Sequence, residues 1–463
     1  MRIRHALYPL RSQAHRSQKQ IRASGRYDWV KPPPTGKKSM TPVIFISAGE
    51  ASGEHYGALL AASIQQQSAP KDKTVELIGM GGPRMAAAGV DCIVRAEDVA
   101  VMGLTEVVLH LPRIYREFRK LKRAIRARRP TVAILIDFPE INFRLAREFH
   151  RLGIPVIYFV SPQLWAWKQH RIRLVREYVR RMLVIFPFEE PYYRTRGVDA
   201  EFVGHPLADL PQPSITREQF AVENNLDPSR TWIGLLPGSR LREIEDNLPE
   251  MLAAARALAS PGPTAAAPAP HYDFLIPLAP TLDAAQRAKV RRIVDEHGSS
   301  LSIRLISDRG AEGAVSPTAG GDARATLFHA RASVVASGTA TVEAALIGNP
   351  FVVVYRVSPV TYAIARRMVK VPHVAMANLI AGKRVVPELI QHDFTAVKIV
   401  QHLSPLLPDG PARESMRMEL GVIREALRAP AANRPAQSAI ERVAAIVVNE
   451  VESILPAAAQ AAP

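Results

Sequence analysis

The strongest constraint on this chain is an alternation that occurs twice. Continuous apolar runs of strand length are separated by stretches of helical period, first over residues 41–210 and again over 211–395. The first set of runs is VIFIS (43–47), VELIG (75–79), VAILID (132–137), PVIYFV (155–160) and MLVIF (182–186), with helical stretches such as 141–151 and 167–181 between them. Strands that are apolar on both sides are buried on both faces, which is how a parallel sheet covered by helices reads. The proline-rich GHPLADLPQPS (204–214) interrupts the pattern as a linker. It restarts with WIGLLPGSR (232–240), YDFLIPL (272–278), LSIRLI (301–306), ASVVAS (332–337) and PFVVVYRV (350–357). The expected fold is α/β, with two Rossmann-like domains at 41–210 and 211–395 facing a cleft. Helices and an Ala/Pro tail follow over 396–463, and the Ala/Pro stretch 258–270 and Gly/Ala/Ser stretch 310–321 read as loop insertions.

The net charge of +17 is uneven, because residues 1–39 hold ten Lys/Arg against the single acid Asp28. Such a leader could bind an anionic partner, could be an organelle transit peptide, or could precede a true start at Met40. In each case 1–40 has no role in the fold. The single cysteine, Cys92, excludes a disulfide framework and favours a reducing compartment. No apolar run reaches the roughly 18 residues that span a bilayer, so membrane contact is expected to be peripheral. The stretch 111–130 sets Ile114, Phe118, Leu121 and Ile125 on one helical face among nine Lys/Arg and one acid, Glu117. That pattern suits a helix lying on an anionic membrane, or one packing its apolar face on the sheet with its charges in water. RNA would attract the same charge, but aromatic stacking positions are few.

Fingerprints for a P-loop, a dinucleotide, a zinc site and a G-x-S-x-G nucleophile are missing. What remains lies at the carboxyl ends of the expected strands, where open α/β sheets bind ligands. In LLPGSR, Gly238 makes a turn and Ser239 and Arg240 open a helix, supplying N–H groups, a hydroxyl and a guanidinium to an anion such as a diphosphate. Ser239 would equally serve as a helix cap. In ASGTATVE, Ser337, Gly338 and Thr339 form a second such turn, and Glu343 one helical turn on could accept from ribose hydroxyls. Asp137 ends a buried strand, where desolvation raises a carboxyl's pKa and makes it a better general base. Glu50 and Glu54 are alternative acids, and Asp137 could instead cap a helix. Trp165 and Trp167, beside Gln163 in SPQLWAWKQHR (161–171), could line a sugar or lipid site or plug the core.

Taken together and in order, a set of segments resembles the lipid-A-disaccharide synthase family. They are AGEASGE-x-x-GA (48–58), GMGGPRMAAAG (79–89), VMGLTEV (101–107), IDFPEIN (136–142), YFVSPQLWAWK (158–168), FPFEEPYY (186–193), FVGHPLAD (202–209), LLPGSR (235–240), ASGTATVEAAL (336–346) and PHVAMANLIAG (372–382). The resemblance covers roughly 41–395 and departs at Glu54, where the family usually has Asp. It implies a two-Rossmann (GT-B) inverting glycosyltransferase that needs neither metal nor cofactor. Its substrates would be UDP-2,3-diacylglucosamine and 2,3-diacylglucosamine 1-phosphate, and its products a β(1→6) disaccharide phosphate and UDP. On that footing Asp137 is the base and Arg240 stabilises the leaving diphosphate. Gly238, Ser239, Ser337, Gly338, Thr339, Glu343 and Asn378 hold the nucleotide-sugar. Glu50, Ser52, Gly53, Glu54, Gln163 and Trp165 form the acceptor wall. The expected setting is the cytoplasmic face of an inner membrane, reached through 111–130, with no nucleic acid and with a homodimer as an allowed assembly. Open alternatives are a transferase for a polyprenyl-linked acceptor, a UDP-sugar 2-epimerase, or a basic non-catalytic protein that binds RNA or membrane.

Overall fold

The computed structural model describes residues 41–69, 74–99, 104–260, 271–307, 321–358, 362, 371–428 and 437–455. The leader 1–40, the insertions 261–270 and 308–320 and the tail 456–463 lie outside them. Two parallel sheets form, as the alternation predicts. The first has seven strands in the order β3-β2-β1-β4-β5-β6-β7. These are β1 (Val43–Ala48), β2 (Glu76–Gly81), β3 (Asp91–Arg95), β4 (Val132–Ile136), β5 (Val156–Phe159), β6 (Arg181–Val184) and β7 (Ala200–Phe202). The second has six in the order β10-β9-β8-β11-β12-β13. These are β8 (Thr231–Leu236), β9 (Tyr272–Pro277), β10 (Ile303–Ile306), β11 (Ala332–Ala336), β12 (Phe351–Tyr355) and β13 (Glu388–Ile390).

The unbroken apolar runs have the cause expected of them. Along β1, Val43 and Phe45 enter one core with Ala133 and Leu135 of β4, while Ile44, Ile46 and Ala48 enter another with Val132, Ile134 and Ile136. Period-two alternation thus feeds an apolar layer on each face. The edge strands β7 and β13 have three residues each and β3 buries only Val94, and all three escape a search for apolar runs.

The helices beyond 395 do not form one unit. Those at Ala396–Leu403 and Pro411–Ala426 supply Ile399, Leu403, Leu420 and Ile423 to the core of the second sheet. The last, Ala439–Ile454, returns to the first sheet, burying Ile440, Val443, Val447 and Val451 beside Ile44 and Ile46. It lies along the helix Ala51–Ser68, where Gln67 donates to the Glu441 carbonyl at 3.0 Å. Arg180 pairs with Glu450 at 2.7 Å. The two halves also meet at Phe186, which packs against the cores of both sheets and lies 5.3 Å from the ring of His205.

The helix Leu104–Arg128 corrects the reading of an apolar stripe facing lipid. Leu121 and Ile125 are fully buried in the core of the first sheet, with Ile114 and Phe118 packed against it. Lys122 and Arg126 pair with the buried Glu148 at 2.9 and 2.7 Å, and Arg113 and Arg128 pair with Asp98 and Glu76. Arg119, Lys120 and Arg123 face water, with no carboxylate in pairing range among the described residues. No described helix is long and apolar enough to cross a membrane.

Candidate active site

Each sheet reverses its strand order once, between β1 and β4 in the first and between β8 and β11 in the second. Such switch points open a crevice at the carboxyl ends of the strands. The turns after β1 and β4 carry Gly49, Glu50 and Asp137, and those after β8 and β11 carry Gly238–Arg240 and Ser337–Thr339. The motifs of each half therefore collect at one crevice.

Asp137 and Phe138 both have φ of 45°, a left-handed conformation that costs a non-glycine residue on the order of 1 kcal/mol or more. A buried network holds them there. Ser47 Oγ donates to Asn142 Oδ1 at 2.7 Å, and Asn142 Nδ2 donates to the carbonyls of Ile136 (3.1 Å) and Asp137 (2.7 Å). Tyr158 Oη donates to the Asp137 carbonyl at 2.5 Å. The Phe138 ring lies over Gly49, where an added Cβ would stand 2.2 Å from it, so only glycine fits. With its backbone fixed, the Asp137 carboxyl is left to the cleft. Burial pushes its pKa up to about 7, the Glu50 carboxylate adds to the rise, and the Phe138 N–H opposes it.

In the second half, Gly238 has φ of 134° and the helix Leu241–Ala259 opens at Arg240. The Glu243 carboxylate already holds that turn. It accepts from the N–H groups of Ser239 (3.1 Å) and Arg240 (3.4 Å) and pairs with the Arg240 guanidinium at 3.1 Å. The N-terminus of the helix Thr339–Ile347 has no side-chain cap, and Gly338 and Thr339 are exposed there. Glu343 is 8% exposed on this helix. Burial pushes its pKa up to about 7, against the pull of Arg324. Burial first, then the carboxylates of Glu343 and Asp137, push the Tyr56 phenol up.

The other expected residues divide. Ser52 is exposed, Gly53 buried, and Glu54 accepts from the Arg84 N–H at 2.8 Å, capping the short helix Pro83–Ala87. Gln163 is exposed, whereas Trp165 is 8% exposed and donates its Nε1–H to Glu189 at 3.0 Å. Asn378 is fully buried with its amide spent inside the domain, and a direct ligand contact is corrected to a structural tie. Nδ2 donates to Val386 O and Glu388 Oε1, and Oδ1 accepts from Val385 and Val386. Sequence reasoning missed Ser47, Asn142, Tyr158 and Glu189. Asn142 lies in the quoted IDFPEIN, and its spacing of one helical turn from Phe138 was the available signal.

The lipid-A-disaccharide synthetase family matches residues 44–442. Lipid-A-disaccharide synthase of Acidobacterium capsulatum is 58% identical over 88% of this chain and 95% of its own. The synthase of Koribacter versatilis is 47% identical over 88% and 98%. Among solved structures, S. aureus MnaA with UDP aligns at a TM-score of 0.57 with 11% identity, covering 90% of this chain and 98% of its own. The calicheamicin glycosyltransferase CalG4 aligns at 0.52 with 17% identity, covering 90% and 100%. These two structures share the fold with this chain.

Proposed function

Since the chain belongs to the lipid-A-disaccharide synthase family, we propose that it joins UDP-2,3-diacylglucosamine to 2,3-diacylglucosamine 1-phosphate. The products are a β(1→6) disaccharide 1-phosphate and UDP. The acceptor 6-hydroxyl oxygen forms the new bond to the donor C1 as the bond from C1 to the diphosphate breaks. Direct displacement inverts the anomeric centre. Asp137 takes the hydroxyl proton, and the observation that carries this role is a carboxyl pushed up to about 7 at the first switch point. A base with that pKa is about half ionised at neutral pH and keeps useful proton affinity.

Arg240, Ser239 and the Gly238 turn receive the diphosphate, which takes over the donors that Glu243 now holds. The uncapped turn at Ser337–Thr339 offers further N–H groups, and Glu343 meets the ribose. Glu50, Ser52 and Gly53 line the acceptor side, while Glu54 acts through the helix it caps. The chain sits on the cytoplasmic face of an anionic membrane through the outer charges Arg119, Lys120 and Arg123, within reach of its acylated substrates.

A radiolabel assay with both acylated substrates tests the reaction. Asp137→Asn is expected to lower kcat by about 10²–10⁴-fold with donor binding intact, and normal turnover would remove Asp137 as the base. Arg240→Ala should cost about 10²–10³-fold, and a wild-type rate would take it out of the site.

A further inference from the structure

The segment FPFEEPYY (186–193) follows β6 and takes no part in the chemistry above. It clamps the loop 161–168, which follows β5. Tyr193 Oη donates to the Pro162 carbonyl and Tyr192 Oη to the Leu164 carbonyl, each at 2.9 Å. One oxygen of Glu189 accepts from Ser161 Oγ (2.6 Å) and Trp165 Nε1 (3.0 Å), and the other accepts from the Phe186 N–H (3.1 Å). Phe188 meets the Trp165 ring edge-on at 5.0 Å. Glu189 is 1% exposed, and a carboxylate that deep is expensive unless its hydrogen bonds fix something of use.

What they fix is the direction of the loop. Ser161, Pro162, Leu164, Trp165 and Ala166 are buried, so Gln163 and Trp167 are turned outward, Trp167 being 40% exposed. The far end of the loop is tied to the catalytic turn. Lys168 Nζ and Arg171 Nη1 lie 3.2 and 3.0 Å from Glu140, in the first turn of the helix Pro139–Arg151 that follows Asp137 and Phe138. The Lys168 ammonium stands 4.1 Å from the centroid of the Trp167 ring. The surface around Glu140, one helical turn from Asp137, therefore offers the uncovered face of an indole for the C–H side of a sugar, an amide for hydroxyls and an ammonium that a phosphate would share with Glu140.

We propose that Trp167, with Gln163 and Lys168, contacts the sugar phosphate of the acceptor, and that Glu189 is the positioning residue that holds them in place. Trp165 is the buried anchor of this loop and makes no contact with sugar. The inference rests on the reading of the first half as the acceptor side.

The test varies each substrate in turn with full-length Trp167→Ala, Glu189→Gln and Tyr193→Phe. Trp167→Ala and Glu189→Gln are expected to raise the acceptor KM about tenfold, a change of about 1.4 kcal/mol, with donor KM unchanged. In Glu189→Gln an amide NH2 faces a donor whichever way it turns, so Trp165 fluorescence should shift to the red. If Glu189→Gln does not fold, Tyr193→Phe, which loses one hydrogen bond, should show the same split at about threefold. An unchanged acceptor KM in Trp167→Ala, or equal rises for both substrates in Glu189→Gln, overturns the inference. A wild-type chain that forms no disaccharide overturns the proposed reaction instead, which keeps the two failures apart.

Discussion

At Asp137 and Phe138 the backbone is left-handed over two consecutive non-glycine residues, and the buried amide of Asn142 and phenol of Tyr158 hold it there. The energy spent on that turn leaves a carboxyl raised to about 7, which fixes two pH dependences. Turnover should fall tenfold per pH unit below about 7, as the base is protonated, and a pH–rate profile of kcat/KM checks this. Stability follows from the same shift. The folded pKa lies above the unfolded value of 3.8, so ionised Asp137 costs nothing below about 4, and the cost grows until the pH passes about 7. Asp137→Asn should therefore stabilise the chain by on the order of 3 kcal/mol at pH 8, with the gain gone near pH 4, as read from urea midpoints at the two pH values. Asp137 is legible in the sequence because an acid ends an apolar run. Ser47 and Glu189 are not, since Ser47 meets Asn142, and Glu189 meets Ser161 and Trp165, only when strands become neighbours. The bond from Ser47 to Asn142 joins residues 95 apart.

The helix Leu104–Arg128 shows what an amphipathic pattern can and cannot say. Periodicity marks its apolar face, but a sheet and a bilayer compete for that face on equal terms, and here the sheet holds it. Leu121→Ala is accordingly expected to cost about 2–5 kcal/mol in a denaturation midpoint, as a core truncation does. Replacing Arg119, Lys120 and Arg123 by Gln should leave stability within about 0.5 kcal/mol. The same triple change should weaken binding to phosphatidylglycerol vesicles by on the order of 100-fold, at about 1 kcal/mol per charge. Unchanged flotation would place the membrane contact elsewhere. The edge strands β3, β7 and β13 carry the complementary lesson. Covered on fewer sides, they need no continuous apolar run and so leave little trace in the sequence.

On the scale of the whole molecule, the division into halves is legible from the linker and the restarted pattern, whereas the return of the last helix is not. Its apolar face could serve either sheet, and the choice is made by tertiary contacts such as Gln67 with Glu441 and Asp209 with the Ala439 N–H. Val447 is fully buried beside Ile44 and Ile46. Val447→Ala should cost about 1–3 kcal/mol and lower the main unfolding transition of the first sheet, where a separable C-terminal unit would melt on its own. Calorimetry distinguishes the two. The same helix sets a timetable for synthesis. Residues 374 apart must meet before the apolar face of the first sheet is covered, and at about 5–20 residues per second that is a wait of roughly 20–75 s. Over that interval the helix Ala51–Ser68 covers this sheet face only in part, and the ribosome must release the last helix before the first half is finished.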